Sequence, residues 1–356
     1  IISVILGWAL YRFIETPLRF GRSDKSGKVK KPGLSPVTLW LGGTLAVSVI
    51  GAHMWIYNGF PSRIDPDIRK ISNSRAAKRS NCVPSKSFKS PAKICEIGPR
   101  NTAPIKMVLI GDSHADTVRE GFETYARARG LRSLSISRAA TLPLLKTDVY
   151  RGKTNLGNLR KSAESMMDIS TETDPDLVVM VGRWALPYYS DRPGLEHEPP
   201  AFLTKDGETT LDIIETRAAY ANGLRISLET LKAKNIPVLI VGQVPHLGIN
   251  PAQCMARPSY VISASLDNCT YFTADSWRAR ISPVDSFLQD IVTEVGHGEF
   301  VSTTDFFCGD DKNCTYIKDN KMLYRDDDHL SVNGAKFLVE KLEPSLDRLL
   351  KTTPPK

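Results

Sequence analysis

Ser113, Asp326 and His329 are the residues of this chain whose types and spacing could support nucleophilic catalysis. Ser113 ends a Gly-Asp-Ser tripeptide directly after an apolar run at 105–110, and Asp326 stands three residues before His329. A serine hydroxyl is a weak nucleophile until a neighbouring base removes its proton, and an imidazole base needs a third group to hold its tautomer. We therefore predict that His329 is the base for Ser113 and that Asp326 accepts the other ring N–H of His329.

The elements that must position these residues follow from the hydrophobic pattern. Short apolar segments alternate with amphipathic ones from residue 105 onward, which is typical of a doubly wound, mainly parallel α/β sheet. A strand that ends in Gly-Asp-Ser and continues into a helix places the hydroxyl at the carboxyl edge of such a sheet, beside the N–H donors of the helix. The last helix is expected to begin just after His329, so the base belongs to a loop on the same edge, with Asp327 and Asp328 facing solvent. We predict strands at 105–110, 131–136, 177–181, 237–241 and 299–303, and helices at 115–129, 208–234, 273–295 and 332–350.

Length and charge limit the classes of function. The chain has 356 residues, which suits one domain of about 250 residues with additions. Residues 1–60 hold seven basic and two acidic side chains and so contribute +5 of the formal net charge of +8, which leaves +3 for the rest. Because the remainder has no dense basic stripe with interleaved aromatic residues, a nucleic-acid partner is not expected.

The first hundred residues predict a membrane-associated start followed by an extension. We assign 1–20 to the end of a transmembrane helix, 21–36 to a basic cytoplasmic loop, and 37–58 to a transmembrane helix, because this apolar run is long enough to cross a bilayer. Basic loops stay in the cytoplasm, so the chain after this run is expected on the far side of the membrane. The proline-rich stretch 59–104 is predicted to be an irregular periplasmic linker or extension held by Cys82 and Cys95, and 105–350 the exported domain. Since the chain begins with isoleucine, we expect its true start to lie upstream.

The cysteines indicate an oxidising compartment. An even number in close sequential pairs is typical of exported proteins with disulfides, although six cysteines allow fifteen pairings. No C-x-x-C motif is present in the sequence, so a metal site is not expected. The pairings favoured by proximity are Cys82 with Cys95, Cys254 with Cys269, and Cys308 with Cys314.

Two motifs resemble known families. The Gly-Asp-Ser tripeptide and the Asp-x-x-His at 326–329 before a final helix resemble the SGNH (GDSL-like) hydrolase and acyltransferase superfamily, over roughly 101–350. The stretch 11–19, with Glu-Thr-Pro-Leu-Arg at its end, resembles the closing signature of the membrane-bound acyltransferase family 3, although a helix end broken by proline would look similar. One branch of that family carries an extra transmembrane helix and then an extracytoplasmic SGNH domain, and this chain looks like the C-terminal part of such a protein.

The resemblance also suggests candidates for the oxyanion hole, where this chain departs from the broader superfamily. The SGNH pattern usually supplies a glycine from a second block and an asparagine from a Gly-x-Asn third block. Gly182 matches the third block, but Trp184 stands where asparagine is expected, and Arg183 lies between them. Arg183 is a candidate for glycan binding or positive charge, and Trp184 for sugar stacking or N–H donation, with capping and packing as the alternative roles. The second block has no glycine, so we expect a backbone N–H near Ala140 or Thr141 to take its place.

The function implied by the two resemblances is O-acyl transfer, with acetyl as the expected group, to a sugar hydroxyl of a periplasmic or cell-surface glycan such as lipopolysaccharide O-antigen. Ser113 would carry the acyl group and His329 would act as general base. No cofactor is expected in this portion. Acetyl-CoA is the expected ultimate donor, through an upstream membrane acyltransferase domain of the same chain in the bacterial inner membrane, with the SGNH domain in the periplasm.

Two other functions remain open from the sequence. A membrane-anchored esterase that removes acetyl groups from a glycan would use the same triad. A non-catalytic domain that presents glycan to the membrane part is the other alternative, and the presence of Ser113, Asp326 and His329 argues against it.

Overall fold

The computed structural model describes residues 4–5, 7–8, 11–16, 22–23, 29–30, 36–56, 64–85, 87–193, 198–255, 269–309 and 311–352. The chain divides into two compact units, Ile1–Ile64 and Asp65–Lys356. The first unit contains a π-helical turn at Tyr11–Glu15, the antiparallel strands β1 (Arg22–Ser23) and β2 (Val29–Lys30), and helix α1 (Pro36–Ile56).

The membrane segments predicted for this first unit are not shown by the structure. Within the described ranges, no helix combines the length and the hydropathy that crossing a bilayer requires. Helix α1 occupies most of the predicted spanning segment 37–58. Much of the predicted segments 1–20 and 21–36 lies outside the described residues.

The second unit is an α/β domain. Its strands are β3 (Val83–Pro84), β4 (Lys93–Ile97), β5 (Met107–Gly111), β6 (Ser133–Ser137), β7 (Thr147–Arg151), β8 (Thr154–Asn155), β9 (Leu177–Val181), β10 (Ala201–Lys205), β11 (Val238–Val241), β12 (Gly298–Val301), β13 (Ile317–Lys318) and β14 (Lys321–Met322). Its helices are α2 (Pro66–Asn73), α3 (Ser113–Ala128), α4 (Asn158–Glu172), α5 (Ala185–Tyr189), α6 (Ile213–Lys232), α7 (Pro251–Met255), α8 (Ala274–Val295), α9 (Thr304–Phe307) and α10 (Val332–Thr352), with a 3₁₀ turn at Ser74–Ala76.

The main sheet confirms the predicted mainly parallel α/β fold. Its described strands lie in the order β12-β11-β9-β5-β6-β4-β3. The pairs from β12 to β6 are parallel, and the pairs that add β4 and β3 are antiparallel. Every residue of β5, β6 and β9 is buried. Strands β5 and β9 are continuous apolar runs, because a parallel strand covered on both faces needs no polar side, whereas β6 alternates buried serines with Leu134 and Ile136.

The predicted linker or extension at 59–104 contains regular elements that the sequence pattern did not indicate, namely α2, the 3₁₀ turn, β3 and β4. Strand β4 pairs along its full length with β6, from Lys93 opposite Ser137 to Ile97 opposite Ser133. The extension from Asp65 onward is therefore part of the domain and supplies one side of the main sheet. The many prolines concealed a five-residue strand whose pairing partner is distant in sequence.

The chain between β6 and β11 carries, on each side of β9, a segment with elements that the sequence pattern did not predict, and the two segments together are called the insertion. Strands β10, β7 and β8 form a separate antiparallel sheet, and helix α4 follows β8. The strands of this small sheet are short and partly exposed, so their sequence pattern is weak. This insertion lies next to the carboxyl ends of the central strands and shapes the surroundings of the site described below.

Helices α3 and α10 pack closely against each other and keep Ser113 and His329 near each other. A Cβ added at Gly121 in α3 would overlap the carbonyl of Ala335 in α10, so the two helix backbones meet where only glycine fits. Helix α3 begins at Ser113, and α10 begins three residues after His329. The packing of these helices therefore limits the distance between the serine and the histidine.

The described cysteines are all paired, and the pairs are the three favoured by proximity. The disulfides are Cys82–Cys95, Cys254–Cys269 and Cys308–Cys314. The first one lies within the extension and joins the residue before β3 to β4.

Candidate active site

Ser113 is held at the start of α3 by the aspartate that precedes it. The Asp112 carboxylate caps the helix by accepting from the N–H of His114 at 2.8 Å, and it also accepts from the N–H of Arg183 at 2.9 Å. One buried side chain thus ties the loop after β5 to the loop after β9. This explains the aspartate of the Gly-Asp-Ser tripeptide as a positioning group.

The glycine of the tripeptide is required by the backbone. Gly111 has φ +149°, and a Cβ at this position would overlap the carbonyl oxygen of Val181 on β9. Any larger residue would separate β5 from β9 at the point where the chain turns toward Ser113.

The predicted triad residues lie together in the structure. His329 Nε2 is 2.8 Å from Ser113 Oγ, and His329 Nδ1 is 3.0 Å and 3.2 Å from the two carboxylate oxygens of Asp326. Asp326 Oδ1 also accepts from the backbone N–H of His329 at 2.8 Å, so the local turn fixes both groups relative to each other. This is the geometry required for a base that removes the serine proton while a carboxylate holds its tautomer.

Asp328 departs from the prediction that it faces solvent. Its side chain is only 2% exposed, and its Oδ1 lies 2.8 Å from His329 Nδ1. Its Oδ2 lies 2.8 Å from Arg183 Nη1 and 3.6 Å from His114 Nε2. Burial raises the pKa of Asp328, but the two histidines and the Arg183 charge outweigh burial and hold the pKa well below its ordinary value. The buried carboxylate is therefore charged and paired.

Asp327 is also bound rather than free in solvent, although it is partly exposed. It contacts His246 Nε2 at 3.1 Å, and its backbone carbonyl accepts from the N–H of Leu247 at 2.8 Å. These contacts attach the triad loop to the segment that follows β11. Asp326 and Asp328 thus share His329 as a partner, and Asp327 contacts His246. Because each of the three carboxylates has a cationic or hydrogen-bonding partner, like-charge repulsion within the acidic run is offset.

The carboxylates set the basicity of His329. Burial lowers the pKa of the imidazole, but hydrogen bonding and charge attraction from Asp326 and Asp328 outweigh burial and raise it to about 9. The base is therefore strong, and most molecules carry it as imidazolium at neutral pH. Only the neutral fraction can accept a proton from Ser113.

The structure favours the packing role for Trp184 over the predicted sugar-stacking role, and it shows Arg183 in an ion pair. Trp184 is fully buried, and its indole N–H donates to the carbonyl of Val241 at 2.7 Å, so it cannot stack on a sugar. Arg183 is mostly buried, burial lowers the pKa of its guanidinium, and its side chain pairs with Asp328. The position that carries asparagine in the broader pattern serves packing here, because β11 supplies a carbonyl within reach of the indole.

The remaining oxyanion candidates differ in their geometry. A Cβ at Gly182 would overlap the side chain of Leu142, so this glycine leaves room for a neighbour. The N–H of Thr141 is already bonded to the carbonyl of Arg138 at 3.1 Å. Ala140 has φ +60°, a conformation that glycine adopts more readily, and it stands in the block where the SGNH pattern has glycine. Ala140 is therefore a better candidate than Thr141.

Two overlapping sets of side chains have donor atoms close enough to bind a metal ion. They are His114, Asp328 and His329, and His246, Asp327 and Asp328, with donor atoms within 4.8 Å in each set. An ion in the first set would compete with Ser113 and Asp326 for His329 and would lie beside the Arg183 charge. The hydrogen bonds and ion pairs described above fit a proton-transfer site better.

Several solved structures resemble this chain at low sequence identity. Solved structures with a similar fold include the periplasmic domain of a lipopolysaccharide acetyltransferase from Salmonella ser. Paratyphi A, at 14% identity and TM-score 0.49, covering 69% of this chain and 85% of that one. A putative acylhydrolase from Bacteroides fragilis has 11% identity and TM-score 0.39, covering 80% and 99%. An acetyl-xylooligosaccharide esterase variant from a Geobacillus species has 14% identity and TM-score 0.38, covering 73% and 98%.

A family model gives the assignment. No curated protein sequence shows significant similarity to the chain. The model described as the SGNH domain fused to AT3 domains matches residues 81–344, a range that contains Ser113, Asp326 and His329. The chain therefore belongs to the family of SGNH domains that are fused to AT3 domains.

Proposed function

We propose that this domain transfers a short acyl group, with acetyl as the expected one, to a sugar hydroxyl of a glycan through an acyl-enzyme on Ser113. The observation that carries the proposal is the hydrogen-bonded series from Ser113 Oγ through His329 to Asp326, with distances of 2.8 Å and 3.0 Å. Membership in a family of SGNH domains fused to AT3 domains supports acyl transfer. The resemblance to acyltransferase family 3 supports a periplasmic or cell-surface glycan, such as lipopolysaccharide O-antigen, as acceptor.

The first half-reaction acylates the serine. Neutral His329 accepts the Ser113 proton at Nε2 while Oγ attacks the acyl carbonyl and forms a tetrahedral intermediate. The backbone N–H of Ser113 at the start of α3, together with an N–H near Ala140, stabilises the developing oxyanion. The imidazolium then returns its proton to the leaving group as the bond between the carbonyl carbon and that group breaks.

The second half-reaction repeats these steps with the sugar as nucleophile. His329 accepts the proton of the sugar hydroxyl, the sugar oxygen attacks the acyl-enzyme carbonyl, and the proton returns to Ser113 as the serine ester bond breaks. The carboxylates of Asp326 and Asp328 favour the imidazolium that forms in each half-reaction. Water at the same place would give hydrolysis, which is the esterase alternative.

The acyl source and the location are part of the same proposal. An AT3 membrane domain, of the kind to which this family is fused, would pass the acyl group outward from acetyl-CoA, so the SGNH domain itself needs no cofactor. The disulfides Cys82–Cys95, Cys254–Cys269 and Cys308–Cys314 support a periplasmic location, since they form and persist in oxidising compartments.

The experiment that tests the proposal bypasses the membrane donor. The full chain is mixed with p-nitrophenyl acetate, quenched in acid, and examined by peptide mass spectrometry for one acetyl group on Ser113. A glycan acceptor is then added, and the amounts of acetyl group recovered as glycan ester and as free acetate are measured. We expect acylation of Ser113 and transfer to glycan, with no acylation in Ser113→Ala and normal acylation in the exposed control Ser87→Ala.

The alternatives give different outcomes in the same assay. Release of acetate only, whatever glycan is supplied, would assign the domain to ester hydrolysis. Absence of both an acyl-enzyme and any Ser113-dependent release of p-nitrophenol in the folded wild-type chain would refute a catalytic role for Ser113 and favour the glycan-presenting function.

A further inference from the structure

A cavity lies beside the catalytic serine on the same edge of the sheet. Asp112, Ala140 and Arg183 line it, and these residues follow β5, β6 and β9 respectively. Because these strands are neighbours in the sheet, the three residues meet at its carboxyl edge. Ser113 is the next residue after Asp112, so its Cα lies about 3.8 Å from the Cα of a cavity-lining residue.

The rest of the cavity is formed mainly by apolar side chains of the insertion between β6 and β11. These include Leu142, Leu144, Val149, Leu159, Leu186 and Leu203. Two threonines also line it, but the hydroxyl of Thr147 donates to the carbonyl of Leu145 at 3.0 Å, and that of Thr141 is directed at the carbonyl of Ala139 at 3.4 Å. Arg160 of α4 lines it too, and its guanidinium pairs with the carboxylates of Glu164 and Asp206. The cavity therefore offers an apolar interior with charged groups only at part of its border.

The cavity is small. Its volume is about 40 Å³, whereas a single water needs about 10–15 Å³ on the same measure. The space thus corresponds to roughly three water-sized groups. A sugar ring is too large and too strongly hydrated to enter, because its hydroxyl groups would lose water without finding partners.

We infer that this cavity receives the apolar end of the acyl group carried by Ser113 and so selects short acyl chains. The inference rests on the proposed function and adds the position of the acyl group and the basis of its selection. The carbonyl of the acyl-enzyme stays beside the N–H groups of Ser113 and the Ala140 turn, while the methyl group and any further carbons point between the leucines. The insertion would then set the acyl chain length by the depth of the cavity that it encloses.

The test compares acyl chain lengths in the full chain and in cavity variants. The rate of Ser113 acylation is measured with p-nitrophenyl acetate, butyrate and hexanoate. Leu186→Ala enlarges the cavity at a partly exposed position and should raise the hexanoate-to-acetate rate ratio by about 10-fold, the effect of accommodating one or more additional methylenes. Ala163→Leu fills the cavity from α4 and should lower the butyrate-to-acetate ratio by a similar factor.

A matched control separates this effect from general loosening of the core. Leu131 is also partly buried against the core, but it precedes β6 at the opposite edge of the sheet and does not line the cavity. Leu131→Ala should leave both ratios unchanged. If Ala163→Leu fails to fold, as shown by its thermal unfolding, Leu186→Ala carries the test alone.

The outcomes distinguish this inference from the proposed function. Normal Ser113 acylation with ratios unchanged in Leu186→Ala would refute the acyl cavity and leave the proposed function intact. A change only in the acceptor KM would also refute it, because the cavity would then bind the glycan. Absence of acylation in the wild-type chain would refute the proposed function and the acyl cavity with it.

Discussion

Replacing Asp328 with asparagine should shift the pH dependence of serine acylation toward lower pH. Asp328 is buried and lies 2.8 Å from His329 Nδ1, and together with Asp326 it raises the pKa of the base from an ordinary 6.5 to about 9. At about 1.4 kcal/mol per pKa unit, this difference corresponds to roughly 3.4 kcal/mol in favour of the imidazolium. Because burial opposes the shift, the two carboxylates together contribute more than this net amount.

The expected size follows from removing one of the two carboxylates. If Asp328 supplies about half of the net effect, the pKa of His329 falls by roughly one unit in Asp328→Asn. At pH 7 a base of pKa about 9 is neutral in roughly 1% of molecules, and a base of pKa about 8 in roughly 10%. The acylation rate at pH 7, expressed relative to its alkaline plateau, should therefore rise about tenfold. The plateau itself should fall, because the imidazolium formed in the transition state loses a stabilising charge.

The assay is the rate of Ser113 acylation by p-nitrophenyl acetate between pH 6 and pH 10, with the folded fraction checked at each pH. Asp327→Asn is the matched control, because Asp327 is the adjacent carboxylate but contacts His246 instead of His329. We expect the control profile to match that of the wild-type chain. Coincident profiles for Asp328→Asn and Asp327→Asn would show that Asp328 does not act on the base, and the argument from proximity would be wrong.

Four further outcomes are expected. Asp326→Asn should slow acylation by on the order of 10²- to 10⁴-fold yet leave measurable turnover, since it orients the base and does not replace it; complete loss equal to that of Ser113→Ala would contradict this role. Trp184→Phe should lower the free energy of unfolding by about 1–3 kcal/mol, because the Val241 carbonyl loses its donor, with acylation per folded molecule unchanged; a raised acceptor KM at normal stability would instead restore a ligand-binding role. Arg183→Ala should destabilise the domain by on the order of 3 kcal/mol in urea unfolding, because Asp328 loses its cation, and Arg183→Lys should recover part of the loss; unchanged stability would argue against this pairing. The exported native protein should show no free thiols, and reduction should slow its migration on a denaturing gel, whereas labelling of all six cysteines would exclude the disulfides.

Several features could be predicted from the sequence because local pattern determines them. Strands β5 and β9 are buried on both faces and so appear as continuous apolar runs, and at 177–181 prediction and structure coincide. The Ser113 tripeptide and the Asp326-x-x-His329 turn each contain their own positioning contacts, the Asp112 cap and the Asp326 carboxylate that binds the His329 N–H. Short sequence separation also favoured the three disulfide pairs, since a short loop brings its ends together at little entropic cost.

Tertiary structure decided what depends on partners far apart in the chain. Asp328 is an acidic residue among others in the sequence, and only its contact with Arg183 from another loop makes it a buried, charged neighbour of the base. Trp184 stands where a ligand-facing residue was expected, and only the carbonyl of Val241 on β11 turns it into a packing residue. Strand β4 appeared as part of a linker until its pairing with β6 was known. In each case the fold is stabilised because a partner far away in the sequence pairs with a buried polar group or with a strand edge. The periodicity of one segment does not reveal such a partner.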